Sequence, residues 1–284
     1  MTGWVRGGFV AALLLGTAVS AYAGAAPVCT LKFRPHTLST GSNPQTIVTG
    51  DFNRDGHLDF AHVDYSGGGA GHVSVFLGNG DGTFQAPATY ATGNGPDGLA
   101  LADVNGDGIP DLIVANDTGS SISVLPGNGD GTFGAHTDYA TGANSFPHWV
   151  AVGDFNGDHA PDIAVANEGA NTVGVFLNKG NGTFGSMSSF GVSQEPYSVA
   201  AGDFRHDGKI DLAVTGYYYS VVSVLLGNGD GTFGADQEFP TDEYPLGIAA
   251  GTFKGTSRTK EDVIVTNDLS ADAILFLNRS KGCR

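Results

Sequence analysis

Four stretches of the chain carry acids at one spacing: DFNRDGHLD at 51–59, DVNGDGIPD at 103–111, DFNGDHAPD at 154–162 and DFRHDGKID at 203–211. Each places Asp at positions 1, 5 and 9, and three of the four add Asn at position 3. A tight loop can turn these oxygens onto one point, with a backbone carbonyl from position 7, forming a hard-oxygen cage suited to Ca²⁺ at about 2.3–2.6 Å. Turn-forming Asp and Asn alone would explain position 1 or 3, but not carboxylates at steps of four in four loops.

The expected ligands are Asp51, Asn53, Asp55, His57 and Asp59 in the first loop and Asp103, Asn105, Asp107, Ile109 and Asp111 in the second. The third loop offers Asp154, Asn156, Asp158, Ala160 and Asp162, and the fourth Asp203, Asp207, Lys209 and Asp211. His57, Ile109, Ala160 and Lys209 would supply only their backbone oxygens. The third loop has His159 where Gly best permits a sharp turn, and the fourth has Arg205 in place of the Asn ligand. Three or four structural ions are therefore expected, with the fourth loop left open. A fifth stretch, TFKGTSRTKED at 252–262, begins with Thr252 and brings in Lys254, Arg258 and Lys260. It should bind no metal and pair its cations with Asp262.

These loops recur because the chain is repetitive. A Pro ahead of an apolar run stands at 44, 96, 147, 196 and 245, with steps of 52, 51, 49 and 49 residues. Within a unit, short runs such as VAVGDF (150–155), DIAVAN (162–167) and TVGVFLN (172–178) alternate with Gly, Asn and Asp clusters, which is strand-and-turn punctuation. The third run ends in GNGDGTF (78–84, 127–133, 227–233) or KGNGTF (179–184), where the glycines supply the positive φ of a hairpin.

Four short antiparallel strands per unit of about 50 residues make a propeller blade, and radial repetition protects sheet edges. The expected fold is all-β, a five-bladed β-propeller occupying 24–284. Its blades lie near 42–93, 94–142, 143–193, 194–242 and 243–284, the last completed by an N-terminal strand from 28–41. That closure would bring together the only two cysteines, Cys29 and Cys283, as a disulfide.

Of 284 residues, 45 are Gly, and 13 Lys and Arg face 29 Asp and Glu for a formal charge of −16. Nucleic acid and anionic membrane both demand a positive surface, so neither is an expected partner. Residues 1–23 read as a signal peptide, with Arg6, an apolar run from Phe9 to Val19, and the small-x-small sequence of Ala21, Tyr22 and Ala23. Its removal leaves 12 basic against 29 acidic residues, a charge of −17. The mature chain has no other membrane-length apolar run, so a secreted or periplasmic monomer is expected. Sequons begin at Asn116, Asn181 and Asn278.

In an up-and-down blade the acidic loops share one face with the GNGDGTF hairpins, and the remaining loops form the other. That second face is variable and carries the candidate ligand residues Tyr65, Phe146, His148, Trp149, Tyr197, Tyr217, Tyr218, Tyr219 and Tyr244. Trp149 replaces small residues in the other units and reads either as a plug of the central channel or as a stacking platform for a sugar. Tyr217 to Tyr219 read either as the start of a strand or as part of a binding rim. The eight histidines fall at unrelated repeat positions, without HExxH, CxxC, a nucleophile elbow or a phosphate loop.

The acidic loop followed by GNGDGTFGA resembles the FG-GAP/VCBS repeat, the unit also found in the propeller of integrin α subunits. The resemblance covers about 42–278, and this chain has five units where integrins have seven. It implies a secreted or surface propeller with calcium in these loops, of a kind that serves in adhesion, in lectins or beside polysaccharide-active enzymes. The expected function is a calcium-stabilised binding or adhesion module for a glycan or an extracellular protein. The alternatives are a polysaccharide-active lyase or hydrolase using the aromatic face, and a purely structural envelope protein.

Closure of a loop of ~250 residues by the disulfide would contribute up to ~5 kcal/mol. Mass spectrometry of the non-reduced protein should recover a Cys29–Cys283 peptide pair, and free thiols at both positions would remove the closure.

Overall fold

The computed structural model describes residues 37–41, 43–65, 69–253, 261–270 and 272–277. Five antiparallel sheets follow one another along the chain. The first holds β1 (Pro44–Gly50), β2 (Asp59–Asp64), β3 (Ala70–Phe76) and β4 (Ala88–Asn94). The second holds β5 (Pro96–Ala102), β6 (Asp111–Asn116), β7 (Ser121–Leu125) and β8 (Thr137–Ala140). The third is built from β9 (Pro147–Gly153), β10 (Asp162–Asn167), β11 (Thr172–Phe176) and β12 (Ser188–Gly191). The fourth has β13 (Pro196–Gly202), β14 (Asp211–Gly216), β15 (Val221–Leu225) and β16 (Gln237–Pro240). The fifth has β17 (Pro245–Gly251), β18 (Asp262–Asn267) and β19 (Asp272–Phe276).

Strands are paired in chain order within every sheet. Their near-continuous apolar sequences follow from burial on both faces. In β6, Leu112 and Val114 point into the core shared with the first sheet, while Ile113 and Ala115 point into the core shared with the third. Four such cores join the five sheets in a row. The inner strands pack in the order β1, β5, β9, β13, β17, and no comparable packing joins β17 to β1 among the described residues. Ile47 is 60% exposed whereas its counterpart Leu99 is 4% exposed, because no preceding sheet covers it in the same way.

Residues 37–41 form no strand, and Gly41 lies against the carboxylate of Asp64 in the first sheet. The rest of the expected N-terminal strand, the signal peptide, Cys29, Cys283, Asn278, Lys254, Arg258 and Lys260 lie outside the described residues. Among the described residues no helix is long and apolar enough to cross a membrane.

One contact repeats in every unit. The carboxylate at position 9 of each acidic loop is buried and accepts a hydrogen bond from the backbone N–H of position 2: Phe52 to Asp59 at 2.8 Å, Val104 to Asp111 at 3.0 Å, Phe155 to Asp162 at 2.9 Å and Phe204 to Asp211 at 3.1 Å. Its second oxygen accepts from the hairpin, from Gly78, Gly127, Asn178 and Gly227 at 2.7 to 2.8 Å. The degenerate fifth unit keeps the first bond, from Phe253 to Asp262 at 3.2 Å.

Position 2 is the point from which adjacent sheets are stitched. Its backbone carbonyl accepts from the next unit's hairpin: Gly131 to Phe52 at 3.1 Å, Gly231 to Phe155 at 2.9 Å, and the Asn178 side chain to Val104 at 2.7 Å. The hairpin phenylalanine enters the same core, with Phe133 edge-on to Phe52 at 5.6 Å and Phe233 edge-on to Phe155 at 5.7 Å. Asp111→Ala would orphan two buried N–H groups and should cost about 2–4 kcal/mol in urea unfolding. A loss below ~0.5 kcal/mol would show that the carboxylate does not hold the loop to the hairpin.

Candidate functional site

At the acidic end, each loop winds around its own first and fifth carboxylates. In the first loop, Asp51 accepts from the N–H groups of Asp55 and Gly56 at 3.1 and 2.9 Å, and Asp55 accepts from His57 N–H at 2.8 Å. The second and third loops repeat these bonds on Asp103 and Asp107 and on Asp154 and Asp158. The sixth position takes positive φ, filled by Gly56, Gly108 and Gly208 but by His159 at 70° in the third loop. Asn53 donates to Asp55 at 2.8 Å, and Asn156 to Asp158 at 2.8 Å.

The ninth carboxylate is drawn to the backbone, while the side chains at positions 1 and 3 both accept from the N–H of position 5 in the first three loops. Among the described residues no three Asp, Glu, His or Cys side chains stand together as a ready metal cage. The donor chemistry of the first three loops still fits a hard cation: two carboxylates and an amide oxygen per loop, with further carboxylate next to them. Burial, reinforced by the charges of Asp158 and Asp154, pushes Asp162 up to about 6 despite its two N–H donors. Burial raises Asp111 as well, with the charges of Asp107 and Asp103 adding to it.

The fourth loop differs. Arg205 sends its guanidinium to Asp211 at 3.0 Å and Asp207 at 3.3 Å, and donates to the Gly227 carbonyl. A permanent cation sits where the other loops have an Asn, and it pairs with two of that loop's expected ligands.

The opposite ends of the strands hold a second repeated device. The residue before each Pro is left-handed: Asn43 (φ 60°), Gly95 (62°), Phe146 (45°), Glu195 (54°) and Tyr244 (59°). Four of these five are not Gly, a conformation that costs about 1 kcal/mol or more each. Their carbonyls accept from the N–H of the residue closing the second strand: Tyr65, Asp117, Glu168, Tyr217 and Asp268, at 2.8 to 3.2 Å. After the Pro the ladder slips in every unit, so that Pro44 pairs with Asp64 but the register resumes only at Ile47.

Two sets of side chains are displayed by this common backbone. One follows the Pro: Gln45, Asp97, His148, Tyr197 and Leu246. The other closes the second strand: Tyr65, Asp117, Glu168, Tyr217 and Asp268. They interlock across sheets. Tyr65 Oη donates to Asp117 at 3.0 Å, His148 Nδ1 lies 2.6 Å from Asp97 Oδ2, and His148 Nε2 meets Glu168. The His148 ring stacks on Tyr197 at 4.6 Å, Tyr197 leans on Tyr217 at 5.6 Å, and Tyr217 and Tyr218 both meet Tyr244 at 5.3 Å.

A cavity of about 240 Å³ opens between the two sets, lined by Asn43, Gln45, Tyr65, Asp97, Asp117, His148 and Tyr197. Burial works against a charged His148, but its hydrogen bonds to Asp97 and Glu168 outweigh it and raise the imidazole to about 9. His148 in turn lowers Glu168, whereas burial raises Asp117 and pushes the Tyr197 hydroxyl up to about 12.

Of the candidate ligand residues, Tyr65, His148 and Tyr197 line the cavity, and Tyr217, Tyr218 and Tyr244 extend it as a rim. Tyr217–Tyr219 is one 3-10 turn rather than a strand start, leaving Tyr218 60% and Tyr219 47% exposed. Phe146 is exposed, and Trp149 is half-buried against the core of the third and fourth sheets, away from the cavity lining. A Cβ on Gly98 would fall 2.9 Å from the Trp149 Cα, as expected where inner strands crowd. The sequon residue Asn116 is fully buried and donates to Ser121 and Ser123, so it is unavailable to a glycosyl carrier in the folded chain. Sequence reading missed Asn43, Gln45, Asp97, Asp117 and Glu168, although their place beside each Pro or at the end of the second strand was there to be aligned.

Comparison with known proteins agrees with this architecture. No curated protein sequence matches the chain. Among solved structures it is similar to an Agrocybe aegerita lectin described by its recognition of non-reducing terminal N-acetylglucosamine, with 20% identity and a TM-score of 0.57 over 84% of this chain and 64% of the lectin. The chain thus spans less than two thirds of the lectin's length. A Lactobacillus plantarum protein gives 16% identity and a TM-score of 0.62 over 84% of this chain and 68% of that one. Virginiamycin B lyase from Staphylococcus aureus gives 13% and 0.54 over 83% and 70%. At such identities the likeness is one of fold, a propeller-like arrangement of sheets. The FG-GAP-like repeat profile matches at 62–114, 103–165 and 154–214, more than half of the chain and three of the acidic loops. With the loops, hairpins and strand order all repeating in that register, the chain belongs to the FG-GAP-like repeat family.

Proposed function

We propose that this chain is an exported, calcium-stabilised five-bladed propeller that binds a carbohydrate, or else a protein surface, through its aromatic loop face. The observation that carries the reading is the contrast between backbone and side chains at that face. Five units share one left-handed residue, one hydrogen bond and one slipped register, and differ in what they display. A scaffold held constant beneath variable polar and aromatic groups suits recognition, where rings supply stacking surface and carboxylates and amides supply directional bonds. The fold likeness to a lectin is consistent with a carbohydrate ligand.

His148 bears on the choice between binding and catalysis. Both ring nitrogens face carboxylates, so the imidazole is held as a cation and has no free lone pair with which to act as a base. The raised folded value sets the sign: its stabilising contribution is complete below the ordinary imidazole range and is lost as pH rises through about 9. NMR titration of the His148 ring should therefore place its midpoint near 9, and a midpoint in the ordinary histidine range would undo the ion-pair assignment.

Calcium is the proposed partner of the first three loops, where it would offset carboxylate repulsion without taking part in ligand chemistry. Arg205 performs that office in the fourth loop. The native chain should take up three ions, and their removal by EDTA should lower the melting temperature by more than about 10 °C, reversibly. Arg205→Asn should add a fourth ion to the stoichiometry. Loss of calcium dependence from the melt, or an unchanged count in the variant, would overturn these assignments separately.

A further inference from the structure

The cavity between the two displayed sets has a charge pattern that narrows its ligand, given the binding function proposed above. Asp97, Asp117 and Glu168 surround one cation, His148, which is engaged by Asp97 and Glu168. Asp117 is 8% exposed, and among the described residues no Lys, Arg or His lies in ion-pair contact with it; Tyr65 Oη is its hydrogen-bonding side-chain partner. Burying a carboxylate without a directly paired cation is costly: burial raises Asp117, and the nearby charge of His148 and the Tyr65 hydroxyl offset that only in part. Arg205 pairs directly with two carboxylates of its own cluster, whereas His148 pairs directly with Asp97 and Glu168 and not with Asp117.

The walls add a second requirement. Tyr65 and Tyr197 bring aromatic rings, and Asn43 and Gln45 bring amides that both donate and accept. Ring faces favour a cation or a sugar face, and amides suit hydroxyl groups. A bare alkylammonium would use the carboxylates and rings but make no use of the amides, whose present contact is with one another, Gln45 Nε2 donating to Asn43 Oδ1 at 3.2 Å. A neutral sugar would use the amides and rings but leave Asp117 without a directly paired cation.

We propose that this cavity is a subsite for a hexosamine residue with a free, protonated amino group, the ammonium directed to Asp117 and the ring hydroxyls to Asn43 and Gln45. The volume of about 240 Å³ accommodates one sugar ring. The rim of Tyr217, Tyr218 and Tyr244 would carry the neighbouring residues of the same polysaccharide.

Calorimetric titration of the full chain at neutral pH, with calcium present, tests this with four probes: a glucosamine tetramer, an N-acetylglucosamine tetramer, a glucose tetramer and a tetralysine peptide. The glucosamine tetramer should bind, about tenfold or more tighter than either neutral tetramer, and weaken as salt is raised. Asp117→Asn, which keeps the size and the Tyr65 contact, should abolish that preference while leaving residual binding of all three sugars. In the unmutated chain the same titration should shift the His148 ring resonances, a readout that survives if the variant does not fold. Equal binding of the three sugars, or a preference that persists in Asp117→Asn, overturns the ammonium subsite and leaves carbohydrate recognition standing. Binding of tetralysine alone overturns the sugar assignment. Silence towards every probe, with calcium uptake intact, overturns the subsite and counts against the carbohydrate reading together.

Discussion

The ninth carboxylate of each acidic loop is the contact on which the rest of the structure depends. Asp59, Asp111, Asp162 and Asp211 each accept two backbone N–H bonds from segments 23 to 26 residues apart in the chain, one in the loop and one in the hairpin. That pair of hydrogen bonds fixes position 2, whose side chain enters the core between sheets and whose carbonyl receives the next unit's hairpin. A single buried acid therefore couples the fold of one unit to the docking of the following one. A carboxylate is suited to this because both oxygens accept strongly and diverge, which an amide could do with only one.

Rigidity at the acidic end has a consequence at the other. The inner strand that runs into each acidic loop starts from its Pro at the far end, where the left-handed residue and the slipped register turn side chains out of the ladder. Those conformations are unfavourable in isolation and persist because the cores on either side of each sheet determine the strand positions. The result separates two kinds of acid. At one end carboxylates fold the chain, and at the other Asp97, Asp117 and Glu168 are held in an aromatic surround with a single imidazolium among them.

Much of the scaffold was legible in the sequence because its signals are short and repeated. The glycine-rich hairpins have the positive φ their sequences demand, and His159 takes the sharp-turn conformation that its place in the third loop required. The acidic loops were recognisable, but spacing could not distinguish the ninth carboxylate from its neighbours. An Asp that clamps backbone N–H groups and an Asp that would hold a metal are the same letter, and only burial separates them. Trp149 and the Tyr217–Tyr219 run attracted notice as large aromatics, yet the first packs into a wall between sheets and the second forms a turn. Asp97, Asp117 and Glu168 were overlooked for the opposite reason. Each is an ordinary acid in an acid-rich chain, and its meaning comes from register: equivalent positions in successive units become neighbours in space although about 50 residues separate them.

That register also explains why the cavity lies where it does. The two displayed positions are occupied by Gln45 and Tyr65, Asp97 and Asp117, His148 and Glu168, and Tyr197 and Tyr217 in the first four units, so composition moves from amide to acid to imidazolium to aromatic across adjacent sheets. Only where acid and imidazolium units abut can one carboxylate be neutralised from the neighbouring sheet, as Asp97 is by His148, while its companion Asp117 is left with a hydroxyl. One unit along, the equivalent acid Glu168 meets the His148 imidazole, and one unit back the equivalent position holds the Tyr65 hydroxyl that donates to Asp117. The charge imbalance is thus a product of the order of the repeats, a property that no unit possesses alone.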